Sequence, residues 1–174
     1  MKPSKCLWSL ALLIPLAAHI AALPQSNPNS GGGVQDLAFF EGNYHCEGKF
    51  AANGKAINAD LQFQKILDGK FQLFKHDDEP PFNYHAWSEW GWDAAGHQFV
   101  STVQDSTGGL RLFHSKGWAG TRLEWTGGNL PDSQDQRFVF ERLEDRSFRV
   151  SYSFQKNGSW VDVDSSVCRR VETK

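Results

Sequence analysis

The chain has 174 residues, and its 18 Lys and Arg against 20 Asp and Glu give a formal net charge of −2 at pH 7. Because the sequence has neither a basic excess nor a run of Lys and Arg, it argues against nucleic-acid binding and against attachment to anionic membranes by charge. The aromatic content is high, with seven Trp and 13 Phe.

The first 22 residues have the pattern of a secretory signal peptide. Lys2 and Lys5 form a short positive region, residues 7–22 are mostly apolar, and a polar stretch follows. We predict cleavage after Ala22 and export, either to the periplasm or out of the cell. The alternative is a membrane anchor, but the apolar run is interrupted and short beside the ~20 residues that a spanning helix needs. No later stretch is long and apolar enough, so we expect no membrane span in the mature chain.

The rest of the chain divides into a linker and one domain. Residues 23–33 are rich in Pro, Ser, Asn and Gly, a composition that cannot bury apolar surface, so we predict a flexible linker. Residues 34–174 are enough for one domain with a full core. Within it, residues 34–40 could form one or two helical turns.

Apolar residues beyond that point recur with a period of two, which predicts strands. Asp68-Gly69 and Asn157-Gly158 are typical of tight hairpin turns. The acidic, proline-containing stretch 76–81 predicts a loop, because consecutive prolines interrupt a ladder. We expect about ten strands, over residues 43–51, 57–64, 71–75, 82–92, 98–105, 110–118, 122–126, 137–143, 148–154 and 160–171.

A meander of many short strands leaves two unpaired edges, and closure into a barrel removes them. We therefore predict an all-β fold, a closed antiparallel up-and-down barrel of about 8–10 strands. Cys46 with Cys168, and Tyr44 with Arg170, have equal sums of residue numbers, as opposed residues of one antiparallel pair must. This register between the first and last strands predicts a disulfide beside a Tyr–Arg contact, which export permits. The alternative is two unpaired thiols.

Three valines of the last strand conflict with this register. Val161, Val163 and Val167 have the parity of the face opposite Cys168. Either a bulge near Ser165-Ser166 shifts the phase, or the strand has a mixed interior face, and the sequence leaves both open.

Motifs at both ends of the predicted barrel are similar to those of lipocalins and related calycin barrels. Phe40-Glu41-Gly42-Asn43-Tyr44 resembles their Gly-x-Trp start, with Tyr44 in place of Trp, and Arg170 or Arg169 resembles the Arg that packs over that aromatic residue. The stretch from Gly91-Trp92-Asp93 to Leu123 resembles a lipocalin-like domain of unknown function found in exported bacterial proteins. The resemblance implies a barrel of eight to ten strands and no particular activity.

The aromatic strand around residues 84–92 has two chemically different faces. One carries Tyr84, Ala86, Ser88, Trp90 and Trp92, and the other carries His85, Trp87 and Glu89. If the second face points inward, a Trp between a base and an acid would form a polar anchor in an apolar pocket. If the Trp-rich face points inward, it forms core and leaves His85 and Glu89 solvated, which the larger burial of three aromatic rings favours.

The candidate ligand-binding residues are His85, Trp87, Glu89, Phe99, Asp105, His114 and Trp118. Asp105 either faces inward near a barrel end or caps the turn at 106–109. The sequence has no paired-His zinc motif, no spaced calcium ligands and no Gly-x-Ser-x-Gly elbow, so we expect no metal site, no cofactor and no assignable catalytic residue. A haem held by one His leaves no spacing motif, and His85 and His114 are the candidates for such a ligand.

Three functions stay open at this point. The leading hypothesis is an exported barrel that binds a small apolar or amphipathic molecule. The second is a calycin-like isomerase or hydrolase that uses a His and a carboxylate, from His85, Glu89 or Asp105, as acid and base. The third is a structural or interaction domain of the cell envelope with an exposed aromatic patch.

Overall fold

The computed structural model describes residues 32–130, 133–144 and 146–172. The predicted signal peptide at 1–22 and most of the predicted linker lie outside these ranges. Within them the chain is all-β except for one short 3-10 helix, Val34–Phe40. No helix among the described residues has the length and apolarity to cross a membrane.

Eleven strands follow the helix in the described part of the chain. They are β1 (Gly42–Phe50), β2 (Ala56–Ile66), β3 (Phe71–Asp78), β4 (His85–Asp93), β5 (Gln98–Asp105), β6 (Leu110–Ser115), β7 (Trp118–Ala119), β8 (Arg122–Asn129), β9 (Gln136–Arg142), β10 (Phe148–Lys156) and β11 (Ser159–Val171).

The strands form a closed barrel. Sequential neighbours pair antiparallel from β1 to β6 and from β8 to β11, β6 pairs with β8, and β1 pairs with β11. Ten strands therefore make the ring, and the two-residue β7 is an additional strand beside β8. The predicted all-β closed antiparallel barrel is confirmed.

Several expected element boundaries differ from the structure, and two of the differences have a clear physical reason. β3 continues through His76 to Asp78, which the sequence placed in a loop, because these residues pair with Leu61 and Ala59 of β2. The ladder hydrogen bonds along this hairpin outweigh the loop preference of the acidic residues. The expected strand 110–118 is divided into β6 and β7 around Gly117, whose φ of 90° breaks the extended backbone.

The N-terminal helix closes one end of the barrel, here named the floor. A 3-10 helix has three residues per turn, so Val34, Leu37 and Phe40 share one face, and all three are buried. The ring of Phe40 packs between residues of four strands, with ring centroids 5.1–5.4 Å from Phe63, Trp90, Phe140 and Phe148. The other end of the barrel, here named the mouth, carries the β1–β2 and β3–β4 connections.

The first and last strands meet in the predicted register. Cys46 opposes Cys168, and Tyr44 opposes Arg170. Cys46 and Cys168 form a disulfide bond, and the Arg170 guanidinium lies 5.9 Å from the centre of the Tyr44 ring. Gly42 has a φ of 127°, and a Cβ at that position would collide with the Arg170 side chain, so glycine is required there.

A β-bulge in β11 turns one of the three valines that conflicted with this register, Val163, towards the interior. The β10–β11 pairing shifts after Tyr152, which opposes Asp164, whereas Ser153 opposes Asp162. The additional residue is Val163, so the bulge lies two residues before the predicted Ser165-Ser166 position. Val163 and Asp164 both line the barrel interior, whereas Val161 stays exposed.

Reduction of the disulfide should destabilise the barrel by about 3–5 kcal/mol, because the bridge joins residues 122 positions apart and restricts the unfolded chain. We expect the urea-unfolding midpoint of the purified protein to fall when a phosphine reductant is added. The double variant Cys46→Ala/Cys168→Ala is the control, and its midpoint should not respond to the reductant. Equal midpoints for the oxidised and reduced protein would contradict a stabilising bridge.

Candidate functional site

The barrel encloses a cavity of about 420 Å³ between the floor and the mouth. Its lower wall is aromatic, with Phe74, Trp90, Trp125 and Phe140 among the lining residues. Trp90 and Trp125 are in contact, with ring centroids 4.9 Å apart. Because these rings already pack against the floor helix and one another, the cavity wall is rigid and apolar.

A short hydrogen-bonded chain crosses this apolar wall. The indole N–H of Trp90 donates to the Ser88 hydroxyl at 2.8 Å, and the Ser88 and Ser101 hydroxyl oxygens are 2.7 Å apart. Both serines are buried and line the cavity. The chain satisfies three buried polar groups without charge.

The mouth end of the cavity is polar. Six side chains, here named the polar cluster, line it together: His76, Asp78, Tyr84, Arg111, Tyr152 and Asp164. They come from β3, the β3–β4 connection, β6, β10 and β11. The barrel thus places an apolar chamber beneath a group of ionisable side chains, and a bound molecule could contact both.

His76 and Asp78 form the first pair of the polar cluster. They are two residues apart on β3 and therefore share its inner face, and the His76 Nε2 lies 2.7 Å from the Asp78 Oδ1. The Asp78 side chain is only 6% exposed. A His and a carboxylate in hydrogen-bond contact can exchange or orient a proton.

Arg111 is held by a carboxylate from the neighbouring strand. Its guanidinium donates to the Asp105 Oδ2 at 2.6 Å, and both side chains are nearly buried, at 11% and 5% exposed. Burial disfavours the Asp105 charge, but hydrogen bonds from Thr107 and Gly109 and the charge of Arg111 outweigh it, and the pKa of Asp105 is lowered. Arg111 and Asp105 therefore form a neutralised pair.

Arg111 also orients Tyr84. The guanidinium donates to the Tyr84 phenol oxygen at 2.7 Å, which leaves the phenol hydrogen free to be donated to another acceptor. Burial raises the pKa of Tyr84 despite the nearby Arg111 charge. The phenol is therefore neutral at physiological pH and acts as a hydrogen-bond donor.

Asp164 faces the cavity because it has the same parity as the inward-facing Cys168 and Ser166 on β11, and it lies next to the bulge residue Val163. Among the described residues, none donates a hydrogen bond to its carboxylate and none forms a salt bridge with it. Burial raises the pKa of Asp164 to about 6, His76 opposes the rise, and Asp78 adds to it. An incompletely solvated carboxylate that faces a cavity is typical of a functional position.

The strand face that carries His85, Trp87 and Glu89 points out of the barrel. The His85 and Trp87 side chains are 53% and 56% exposed, and His85 pairs with Asp77 at 2.8 Å. The reason is the alternation of β4, because Ala86, Ser88 and Trp90 fill the inner face. The structure thus follows the alternative in which the Trp-rich face is core, and these three candidates lie away from the cavity.

The remaining candidates, Phe99, Trp118, His114 and Asp105, are not among the residues that line the cavity. Phe99 is buried and packs on Trp92, and Trp118 stacks on Phe40 and donates its indole N–H to a helix carbonyl. His114 faces outward into a surface groove. Asp105 caps the following turn through Thr107 and Gly109, as one of the two alternatives predicted.

The sequence pattern did not identify the polar cluster. Along β6, Leu110, Leu112 and His114 share one parity, and the structure turns the opposite set, Arg111 and Phe113, inward. The buried Asp105 partner makes the inward arginine possible. The detectable signal was the hairpin at Asp68-Gly69, whose register places His76 and Asp78 opposite the inward-facing Leu61 and Ala59.

Comparisons with known proteins bear on the fold. No family model and no curated protein matches the chain. Among solved structures the chain is similar to Rv2717c from M. tuberculosis, with a TM-score of 0.60 and 12% sequence identity, over 80% of this chain and 97% of that chain. At this identity the likeness shows the fold alone. A calycin-like barrel is consistent with it, and the lipocalin-like family relationship stays a prediction.

The variant Asp164→Asn should be more stable than the wild type at pH 7.5, by up to about 3 kcal/mol, since a shift of one pKa unit corresponds to 1.36 kcal/mol. The pKa of Asp164 is raised in the folded state from 3.8 to about 6. The wild type should therefore lose stability relative to the variant as pH rises from below 4 through 6. Urea unfolding of both proteins between pH 4 and 7.5 measures the difference.

Asp77→Asn is the matched control, because Asp77 is exposed on the outer face of the same barrel. Its difference from the wild type should stay within about 0.5 kcal/mol across this range. A stability difference for Asp164→Asn that does not change with pH would show that Asp164 is well solvated.

Proposed function

We propose that the protein is an exported binding barrel for a small apolar or amphipathic molecule. The observation that carries this proposal is the cavity of about 420 Å³, a volume within the range of about 300–1,000 Å³ typical of small-molecule sites. The interior of the barrel is therefore not filled by its own side chains. The disulfide between Cys46 and Cys168 is compatible with export.

The two ends of the cavity would contribute differently to binding. Contact with the aromatic wall around Trp90 and Trp125 contributes affinity through removal of apolar surface from water, at roughly 25 cal/mol per Å². The polar cluster contributes orientation, because all the ionisable side chains that line the cavity lie at the mouth end. A molecule with an apolar body and one polar end fits this arrangement.

A second candidate function is acid–base catalysis on the bound molecule. The observation that favours it is the inward-facing His76–Asp78 pair at 2.7 Å, with Tyr84 available as a donor beside it. These groups replace His85 and Glu89, which the sequence suggested for this role and which lie on the outer face. The two functions differ in whether the ligand leaves the cavity chemically changed.

Binding in the cavity should be blocked by a bulky side chain at Ala86, which is buried and lines the cavity. The neutral fluorophore N-phenyl-1-naphthylamine should bind the wild type and receive energy transfer from Trp90 and Trp125. We expect Ala86→Phe to weaken this binding at least about tenfold, since overpacking removes the space. Fluorescence titration at fixed protein concentration is the measurement.

Gln104→Phe is the matched control, because Gln104 is exposed on the outer face of the neighbouring strand. It introduces the same side chain and should leave the dissociation constant unchanged. Ala86→Leu supplies a milder variant if Ala86→Phe does not fold. Unaltered binding in both Ala86 variants would place the probe outside the cavity and contradict the proposal.

Native mass spectrometry of the protein purified from an exporting host tests export and occupancy together. We expect the mass of residues 23–174 less about 2 Da for the two hydrogens lost on disulfide formation. An additional mass that disappears on denaturation would be a bound molecule. Its recovery unchanged after prolonged incubation with the protein supports a binding function, whereas its conversion supports acid–base catalysis. Retention of residues 1–22 in the mature protein would contradict export.

A further inference from the structure

The mouth end of the cavity carries more negative than positive charge. Asp78 and Asp164 both line it, with His76 beside them. Arg111 does not compensate for them, because Asp105 already neutralises it at 2.6 Å. Removal of these carboxylates from bulk water makes their charge felt more strongly by a ligand than it would be at the surface.

Asp164 is the carboxylate in this group without a protein donor among the described residues, whereas Asp78 is bound to His76. Asp164 shares the inward parity of Cys168 and lines the cavity above the apolar chamber, next to the bulge residue Val163. Asp164 is half-buried, so its carboxylate is only partly solvated, and a ligand donor placed beside it supplies the hydrogen bonds that water and the protein supply incompletely.

We propose that the ligand of this cavity is an amphipathic amine, with an apolar body against the Trp90–Trp125 wall and a protonated amino group in contact with the Asp164 carboxylate. This inference rests on the proposed binding function and specifies the class of its ligand. Tyr84 is positioned to donate its phenol hydrogen to an acceptor on the same ligand. Carboxylate ligands are disfavoured because Asp78 and Asp164 repel them, and because the positive charge of Arg111 is already paired with Asp105.

The test compares three naphthalenes that differ only in the polar group: 1-naphthylmethylamine, 1-naphthylmethanol and 1-naphthoate. A hydrogen bond to a charged partner is stronger than a neutral one, which corresponds to about 10–100-fold in affinity. By calorimetry at pH 7.5 we therefore expect the amine to bind at least about tenfold more tightly than the alcohol. The carboxylate should bind most weakly.

Asp164→Asn should remove the preference for the amine and retain the affinity for the alcohol, because the amide keeps the shape of the side chain and loses its charge. Asp77→Asn is the control, since it removes a carboxylate from the outer face, and it should keep the preference. The ratio of amine to alcohol affinity in the wild type tests the inference even without the variant.

The amine affinity should also fall as pH is lowered through about 6, where Asp164 becomes protonated. The ionisable groups that line the cavity with Asp164 are His76 and Asp78 from β3, Tyr84 from the β3–β4 connection, Arg111 from β6 and Tyr152 from β10. Asp105 of β5 contributes through its ion pair with Arg111. The difference between the pH profiles of the wild type and Asp164→Asn isolates the contribution of Asp164 from theirs.

The outcomes separate the two levels of proposal. Equal affinity for amine and alcohol would overturn the amine inference and leave the binding function standing. Tightest binding of 1-naphthoate would also overturn it, since the cluster would then recognise an anion. Absence of binding by all three compounds and by N-phenyl-1-naphthylamine would overturn the binding function itself.

Discussion

The pairing of β1 with β11 is the constraint on which the rest of the molecule depends. Without it the sheet would end in two open edges, and the backbone donors and acceptors of both strands would lack partners. Closure also gives the sheet an inside, so that Tyr44, Cys46 and Cys168 become core residues. The cavity and the floor beneath it exist because the ring is complete.

The architecture could be predicted because the strands and turns of an antiparallel barrel follow from patterns between residues close in sequence. Alternation over 57–64 and 98–105, hairpin turns at Asp68-Gly69 and Asn157-Gly158, and the matching positions of Cys46 and Cys168 together define neighbours and register. The ends of strands were less predictable where the composition favours a loop but backbone pairing with a neighbouring strand keeps the residues extended. His76 to Asp78 has loop-like composition, but its partner strand holds it extended.

The polar site could not be predicted to the same degree, for two physical reasons. Alternation assigns the two faces of a strand by hydrophobicity alone, so it favours Leu112 over Arg111 as an inward residue. It contains no information about the Asp105 partner that permits a buried cation. The phase of β11 changes at one additional residue, Val163, and such a bulge gives no local sequence signal, so alternation does not predict that the neighbours Val163 and Asp164 both line the cavity. Polar groups inside a barrel are departures from the pattern, and departures often mark function.

The disulfide has a mechanical consequence beyond its effect on the unfolded chain. Cys46 lies at the middle of β1 and Cys168 near the end of β11, so the bond connects the chain directly across the 122 positions between them. A pulling force applied at residues 33 and 172 would travel through two sulfur atoms and bypass β2 to β10. Only the segments outside the bridge could unravel under such a load, and they include the floor helix Val34–Phe40. Stretching the ends would therefore remove the floor while the strands between the two cysteines stay paired.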